Sequence, residues 1–210
     1  MNSSKSFCRI KICGIKDPQM AVDVARLGAD AIGLVFYPPS VRNLDVGLAR
    51  EIALSVPPFV SVTGLFVNAA ADTIGSVLQH VPLDVLQFHG QESRDECERW
   101  GRPYLKAVSV KPDLNLVEYA RRYPSARGLL CDTPSIVAPG GTGECFDWGL
   151  IPDDLPLPLI LSGGLHPGNV GDAIAQTRPW AVDVSSGVER VKGVKDISLI
   201  ARFIEAVRQS

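Results

Sequence analysis

The chain has 210 residues, 46% of them hydrophobic and 21% charged, which suits a soluble globular protein with one sizeable core. Its 21 Lys and Arg against 23 Asp and Glu give a net charge of −2, so no broad basic field invites nucleic acid or a membrane surface. Five cysteines without C-x-x-C or His-rich ligand spacing argue against a disulfide framework and against zinc.

Met1 to Phe7 carries no apolar signal core, and no later run approaches the roughly 18 apolar residues a membrane helix needs, so a cytoplasmic location is expected. The first apolar run, Arg9–Cys13, precedes a helical spacing over Asp17–Leu27, with Asp17 as N-cap, Pro18 at the first helical position and Gly28 at the end. Strand runs at Asp30–Phe36, Val60–Val67, Asp84–Phe88 and Tyr104–Val108 alternate with helical spacings over Asp45–Ser55, Ala70–His80, Glu92–Trp100 and Asp113–Tyr123. Asp45, Asp113 and Asp196 are further candidate N-caps. The sixth run, Gly128–Cys131, leads into a Gly- and Pro-rich stretch, Pro134–Asp147, read as a long active-site loop with only Phe146–Leu150 able to begin a helix. Leu157–Leu161 and Ala181–Val184 make eight runs.

Strand alternating with helix implies a parallel sheet. The first turn, Cys13-Gly14-Ile15-Lys16, lacks the Gly-rich signature of an open doubly wound sheet. The expected fold is therefore an α/β single-domain (β/α)8 TIM barrel over residues 1–210.

In such a barrel the strand ends share one face, and two acid/base groups stand there: Cys13 after the first run and Asp132 after the sixth. Cys13 can be a small buried filler, as Cys131 is expected to be, or a reactive thiol. Lys11 lies on the same strand face and is expected to lower its pKa from the free value of about 8.5. Asp132 ends an apolar strand, where it either caps the following loop or works near solvent, with Thr133 placed to orient it. Ser162-Gly163-Gly164 and Ser185-Ser186-Gly187 follow the seventh and eighth runs, where barrels often bind phosphate through backbone N–H groups. Arg42 sits in a proline-stiffened loop, either solvated or reaching a carboxylate over the barrel mouth. His89 is a weaker candidate, since a lone His can simply satisfy local hydrogen bonds.

Motifs along nearly the whole chain then converge: Lys11-Ile12-Cys13-Gly14, Gly33-Leu34-Val35-Phe36 with Ser40-Val41-Arg42, Phe66-Val67-Asn68, Gln87-Phe88-His89-Gly90, Gly140-Gly141-Thr142-Gly143 before Phe146-Asp147-Trp148, Leu161-Ser162-Gly163-Gly164-Leu165, and Val182-Asp183-Val184-Ser185-Ser186-Gly187-Val188-Glu189. Together they resemble the phosphoribosylanthranilate isomerases of tryptophan biosynthesis. The resemblance implies an Amadori rearrangement of N-(5′-phosphoribosyl)anthranilate to 1-(o-carboxyphenylamino)-1-deoxyribulose 5-phosphate, without cofactor or metal. It implies Cys13 as general base, Asp132 as general acid and Arg42 against the anthranilate carboxylate. The phosphate falls on Gly141, Thr142, Gly143, Gly163, Gly164, Ser185, Ser186 and Gly187. Lys192 stands where the family's pattern leads one to expect Pro.

The expected partner is a small phosphorylated substrate, with neither nucleic acid nor membrane; monomer and homodimer are equally compatible with the sequence. Two other readings are a histidine-pathway aminoaldose isomerase, which uses two Asp residues, and a silent phosphosugar-binding protein, which would lack the acid or the base. The presence of both Cys13 and Asp132 speaks against each.

Overall fold

Eight short strands rich in Val, Ile, Leu and Phe pair in parallel and close on themselves, because the eighth bonds to the first. They are β1 (Arg9–Cys13), β2 (Ala31–Phe36), β3 (Ser61–Phe66), β4 (Val85–Phe88), β5 (Tyr104–Ser109), β6 (Gly128–Asp132), β7 (Leu159–Leu161) and β8 (Ala181–Val184) in a computed structural model that describes residues 7–133 and 145–210. The expected (β/α)8 barrel is present.

The outward faces of β1–β8 pack beneath α1 (Pro18–Arg26), α2 (Val46–Ser55), α3 (Ala71–His80), α4 (Arg94–Glu98), α5 (Leu116–Arg121), α6 (Val170–Thr177) and α7 (Ile197–Gln209). Phe36, Phe66 and Phe88 are register partners on β2, β3 and β4, and their rings stand 5.2 and 6.4 Å apart; Tyr104 meets Phe88 edge-on at 5.9 Å. Burying each such ring contributes about 1.5–3 kcal/mol, and a slip of one residue would turn the whole row inward. Inside, Ala107, Leu130, Ile160 and Ala181 form a separate apolar plug.

Asp17, Asp45 and Asp196 cap α1, α2 and α7 as expected, and Gly28 follows α1 at φ +101°. Asp113 does not cap α5: Asn115 does, accepting from the Glu118 N–H. The fourth helix is shorter than the spacing over Glu92–Trp100 predicts, because Ser93 and Glu96 form a capping box and Glu92 turns inward. There Glu92 pairs with the fully buried Lys106 at 3.0 Å and accepts from the N–H groups of Asn68 and Gly90, fixing the loop that carries His89. β7 begins two residues later than expected, since Pro158 offers no N–H to the ladder. After β6, a 3₁₀ turn over Trp148–Leu150 occupies the predicted helix start. A hairpin of β9 (Glu189–Val191) and β10 (Val194–Lys195) follows β8, which no alternation in the sequence announced.

Candidate active site

β1 and β6 end in Cys13 and Asp132 and β8 carries Asp183 one residue before its end, all three turned inward by strand alternation, while Cys131 next to Asp132 faces the outer core. Cys13, Asp132 and Asp183 consequently line one cavity of about 670 Å³, part of it open to solvent, together with Arg42, His89, Ser162 to Gly164, Ser185 and Ser186.

On the β1 side, Lys11 and Asp183 are register partners and form a buried ion pair at 2.9 Å. Burial alone would lower the Lys11 pKa, but Asp183 and Cys13 outweigh it and hold the ammonium above its usual range. The expectation that Lys11 lowers the Cys13 pKa holds only as a partial effect. Burial pushes the thiol up, Lys11 and Lys195 pull it down, Asp183 pushes it up again, and the net direction is upward. Gly33, the register partner of Cys13, makes room: a Cβ there would stand 2.6 Å from Sγ and 3.1 Å from the Lys11 ammonium.

On the β6 side, Asp132 accepts from the Thr133 backbone N–H at 2.8 Å through Oδ1 and lies 3.1 Å from His89 Nε2 through Oδ2. Gln87 Nε2 stands 3.0 Å from His89 Nδ1, which makes Nε2–H the donor to the carboxylate. Among the described residues, Gln87 Oε1 is left buried without a partner. The reverse amide orientation presents that oxygen to Nδ1–H and turns Nε2 into the acceptor for a protonated Asp132. Gly163, at φ +84°, lets the β7 loop press on the acid, since a Cβ there would stand 2.8 Å from Oδ1.

Of the residues expected to meet phosphate, Gly163, Gly164, Ser185 and Ser186 line the cavity. Gly187 sits behind them, where the absence of a Cβ lets the β8 loop close on the Leu165 carbonyl. Gly141, Thr142 and Gly143 lie outside the described residues. Arg42 is buried, not solvated, and forms a bidentate pair with Glu189.

Sequence reasoning assigned no role to Asp183, Glu189, Gln87 or Lys195. Asp183 carried a usable signal, an acid inside an apolar strand, the same signal that singled out Asp132. All five cysteines are free thiols, and only Cys145 is exposed.

Residues 10–206 match the family described as N-(5′-phosphoribosyl)anthranilate (PRA) isomerase. The chain is 54% identical over 200 residues to the N-(5′-phosphoribosyl)anthranilate isomerase of Pseudomonas aeruginosa (strain LESB58), covering 95% of each. To the enzyme of the same name from Pseudomonas fluorescens (strain Pf0-1) it is 55% identical over 203 residues, covering 97% of this chain and 100% of the relative. The crystal structure of phosphoribosyl anthranilate isomerase from Thermotoga maritima superposes with a TM-score of 0.88 at 39% identity, over 97% of this chain and 100% of that one. A phosphoribosyl anthranilate isomerase in complex with reduced 1-(o-carboxyphenylamino)-1-deoxyribulose 5-phosphate superposes at 0.85, also with 39% identity and the same coverage.

Proposed function

The chain belongs to the N-(5′-phosphoribosyl)anthranilate isomerase family, and from that premise we propose that Cys13 and Asp132 are the general base and general acid of its rearrangement. The protein is an isomerase of tryptophan biosynthesis. The observation that carries the residue roles is the convergence of Cys13 and Asp132, from β1 and β6, on one cavity walled by the Ser162–Gly164 and Ser185–Ser186 loops.

Asp132 gives its proton to the furanose ring oxygen as the C1′–O4′ bond breaks, leaving an iminium and an Asp132 carboxylate. His89 Nε2–H, 3.1 Å from Oδ2, donates to the carboxylate that this step leaves. The Cys13 thiolate next removes the proton from C2′, giving an enamine that tautomerises to the ketone. The cation on the substrate acidifies that C–H bond, so a thiolate is a sufficient base. Lys11 stands beside Cys13 as a fixed positive charge and favours the thiolate against the burial that opposes it.

Arg42 takes the anthranilate carboxylate, and the β7 and β8 loops take the phosphate. The reacting sugar is then held from both ends between base and acid, the arrangement that turns binding into orientation. The substrate is a small phosphorylated molecule, and among the described residues no helix is long and apolar enough to cross a membrane.

The decisive experiment follows anthranilate fluorescence when purified protein meets freshly generated phosphoribosylanthranilate. Rapid loss of the signal is expected. A protein that binds phosphosugars but leaves the fluorescence unchanged would overturn the reading.

A further inference from the structure

Arg42 meets the cavity with one edge already engaged. Its Nε and Nη2 donate to Glu189 Oε1 and Oε2, both at 2.7 Å, with the two side chains only 8% and 3% exposed. A guanidinium has five N–H donors, and this side-on fork uses two of them. Of the other three, one hydrogen of Nη1 and the outer hydrogen of Nη2 form the end-on edge, and the second Nη1 hydrogen points back beside Cδ; among the described residues no acceptor meets Nη1.

Glu189 is itself held from every side. Lys195 Nζ donates to Oε1 at 2.9 Å and the Gly193 N–H to Oε2 at 2.9 Å, so four donors fill the roughly four acceptor positions of a carboxylate. Burial opposes the charge, yet Arg42 and Lys195 outweigh it and bring the Glu189 pKa down to about 2, so the carboxylate is ionised at neutral pH. Lys195 also reaches the Ser185 carbonyl at 2.8 Å, and Ser185 Oγ donates to the Cys13 carbonyl at 3.1 Å. The stem of Arg42 crosses over Gly14, where a Cβ would stand 2.6 Å from Cδ. Position, charge and approach of the guanidinium are all fixed before any ligand arrives.

We propose that Glu189 is the specificity-determining positioning residue of this site: it occupies the side-on edge of Arg42 and so dedicates the end-on edge to the ortho-carboxylate of the substrate's aromatic ring. The proposal rests on the reading of Arg42 as the carboxylate's partner. Two cations against one anion leave the Arg42–Glu189–Lys195 cluster with a surplus positive charge, and Glu189 gives that charge a direction. Removing the Glu189 charge has two opposed effects. The cluster attracts any anion more strongly, while the guanidinium loses the clamp that aims it. A merely structural residue would weaken all ligands alike; a positioning residue changes the preference between them.

The test compares dissociation constants for reduced 1-(o-carboxyphenylamino)-1-deoxyribulose 5-phosphate and for its phenyl analogue lacking the carboxylate. The proteins are wild type, E189Q, E189D and R42A, each checked by thermal melting. E189D keeps the charge and the fold but is one methylene too short to hold the fork, and so covers the case in which E189Q does not fold. The preference for the carboxylated ligand should fall roughly tenfold in the Glu189 variants and vanish in R42A, while affinity for the phenyl analogue changes by less than about threefold. If R42A removes the preference and both Glu189 variants keep it, the Glu189 proposal is wrong and the Arg42 reading stands. If R42A keeps the preference, the Arg42 reading fails and the proposal falls with it.

Discussion

The two sides of the barrel mouth place their reactive groups by opposite means. On the β1 side Cys13 stands inside a dense field of buried charge, with Lys11, Asp183 and Lys195 all acting on one thiol whose pKa burial has pushed up. On the β6 side Asp132 has a sparser setting, one backbone N–H and one imidazole, with Gln87 behind the imidazole. A thiol is a poor anion when desolvated, so neighbouring charge must sustain its base form; a carboxyl group is oriented by hydrogen bonds alone. One site therefore carries a charged half and a hydrogen-bonded half.

Four measurements break or sharpen that contrast. Cys13→Ala and Asp132→Asn remove the proposed base and acid, and each should reduce kcat by about 10²- to 10⁴-fold while affinity for the reduced product analogue stays within a few fold. Near wild-type turnover in either variant removes that residue from the mechanism. Next in size is Gly33→Ala, whose Cβ would stand 2.6 Å from Sγ; a displaced base should lower kcat by roughly 10²-fold with little change in KM, and an unaffected kcat would show that the thiol's position is not critical. On the other side, His89→Gln removes the imidazole partner of Asp132; a hydrogen bond to a charged group is worth about 1.5–3 kcal/mol, so kcat should fall roughly 10- to 100-fold. Turnover within twofold of wild type would reduce His89 to a neighbour.

The smallest effect is in the pH profile. A base acts deprotonated, and a thiol pKa above its ordinary value leaves the active fraction growing by up to about tenfold per pH unit below it. Accordingly, kcat/KM should still be climbing above pH 8, and a plateau reached by pH 7 would show that Lys11 and the substrate overcome burial in the working site.

Much of this was legible in the chain. The alternation of apolar runs with capped helical spacings gave eight strands and the closed barrel, and two polar residues at strand ends gave Cys13 and Asp132. Local rules erred where a tertiary partner competed. Glu92 fits a helix start by spacing, but the buried Lys106 ammonium draws it inward, and the helix begins after Ser93. Asp113 has the chemistry of a cap, yet Asn115 is the residue whose oxygen reaches a free N–H of the first turn, that of Glu118.

The sequence by itself determined the fold class, the family and the places of Cys13 and Asp132 at strand ends, because periodicity, motifs and strand ends are local properties that need no partner. Only the tertiary structure decided the charge state around Cys13, the His89–Asp132 contact and the fork between Arg42 and Glu189. Arg42 and Glu189 are separated by 147 positions and Lys11 and Asp183 by 172, so no spacing rule joins them. Closing the barrel brings β8 beside β1 and its hairpin beside the Arg42 loop, and at distances near 3 Å between buried side chains, electrostatics outweighs what each residue would do alone.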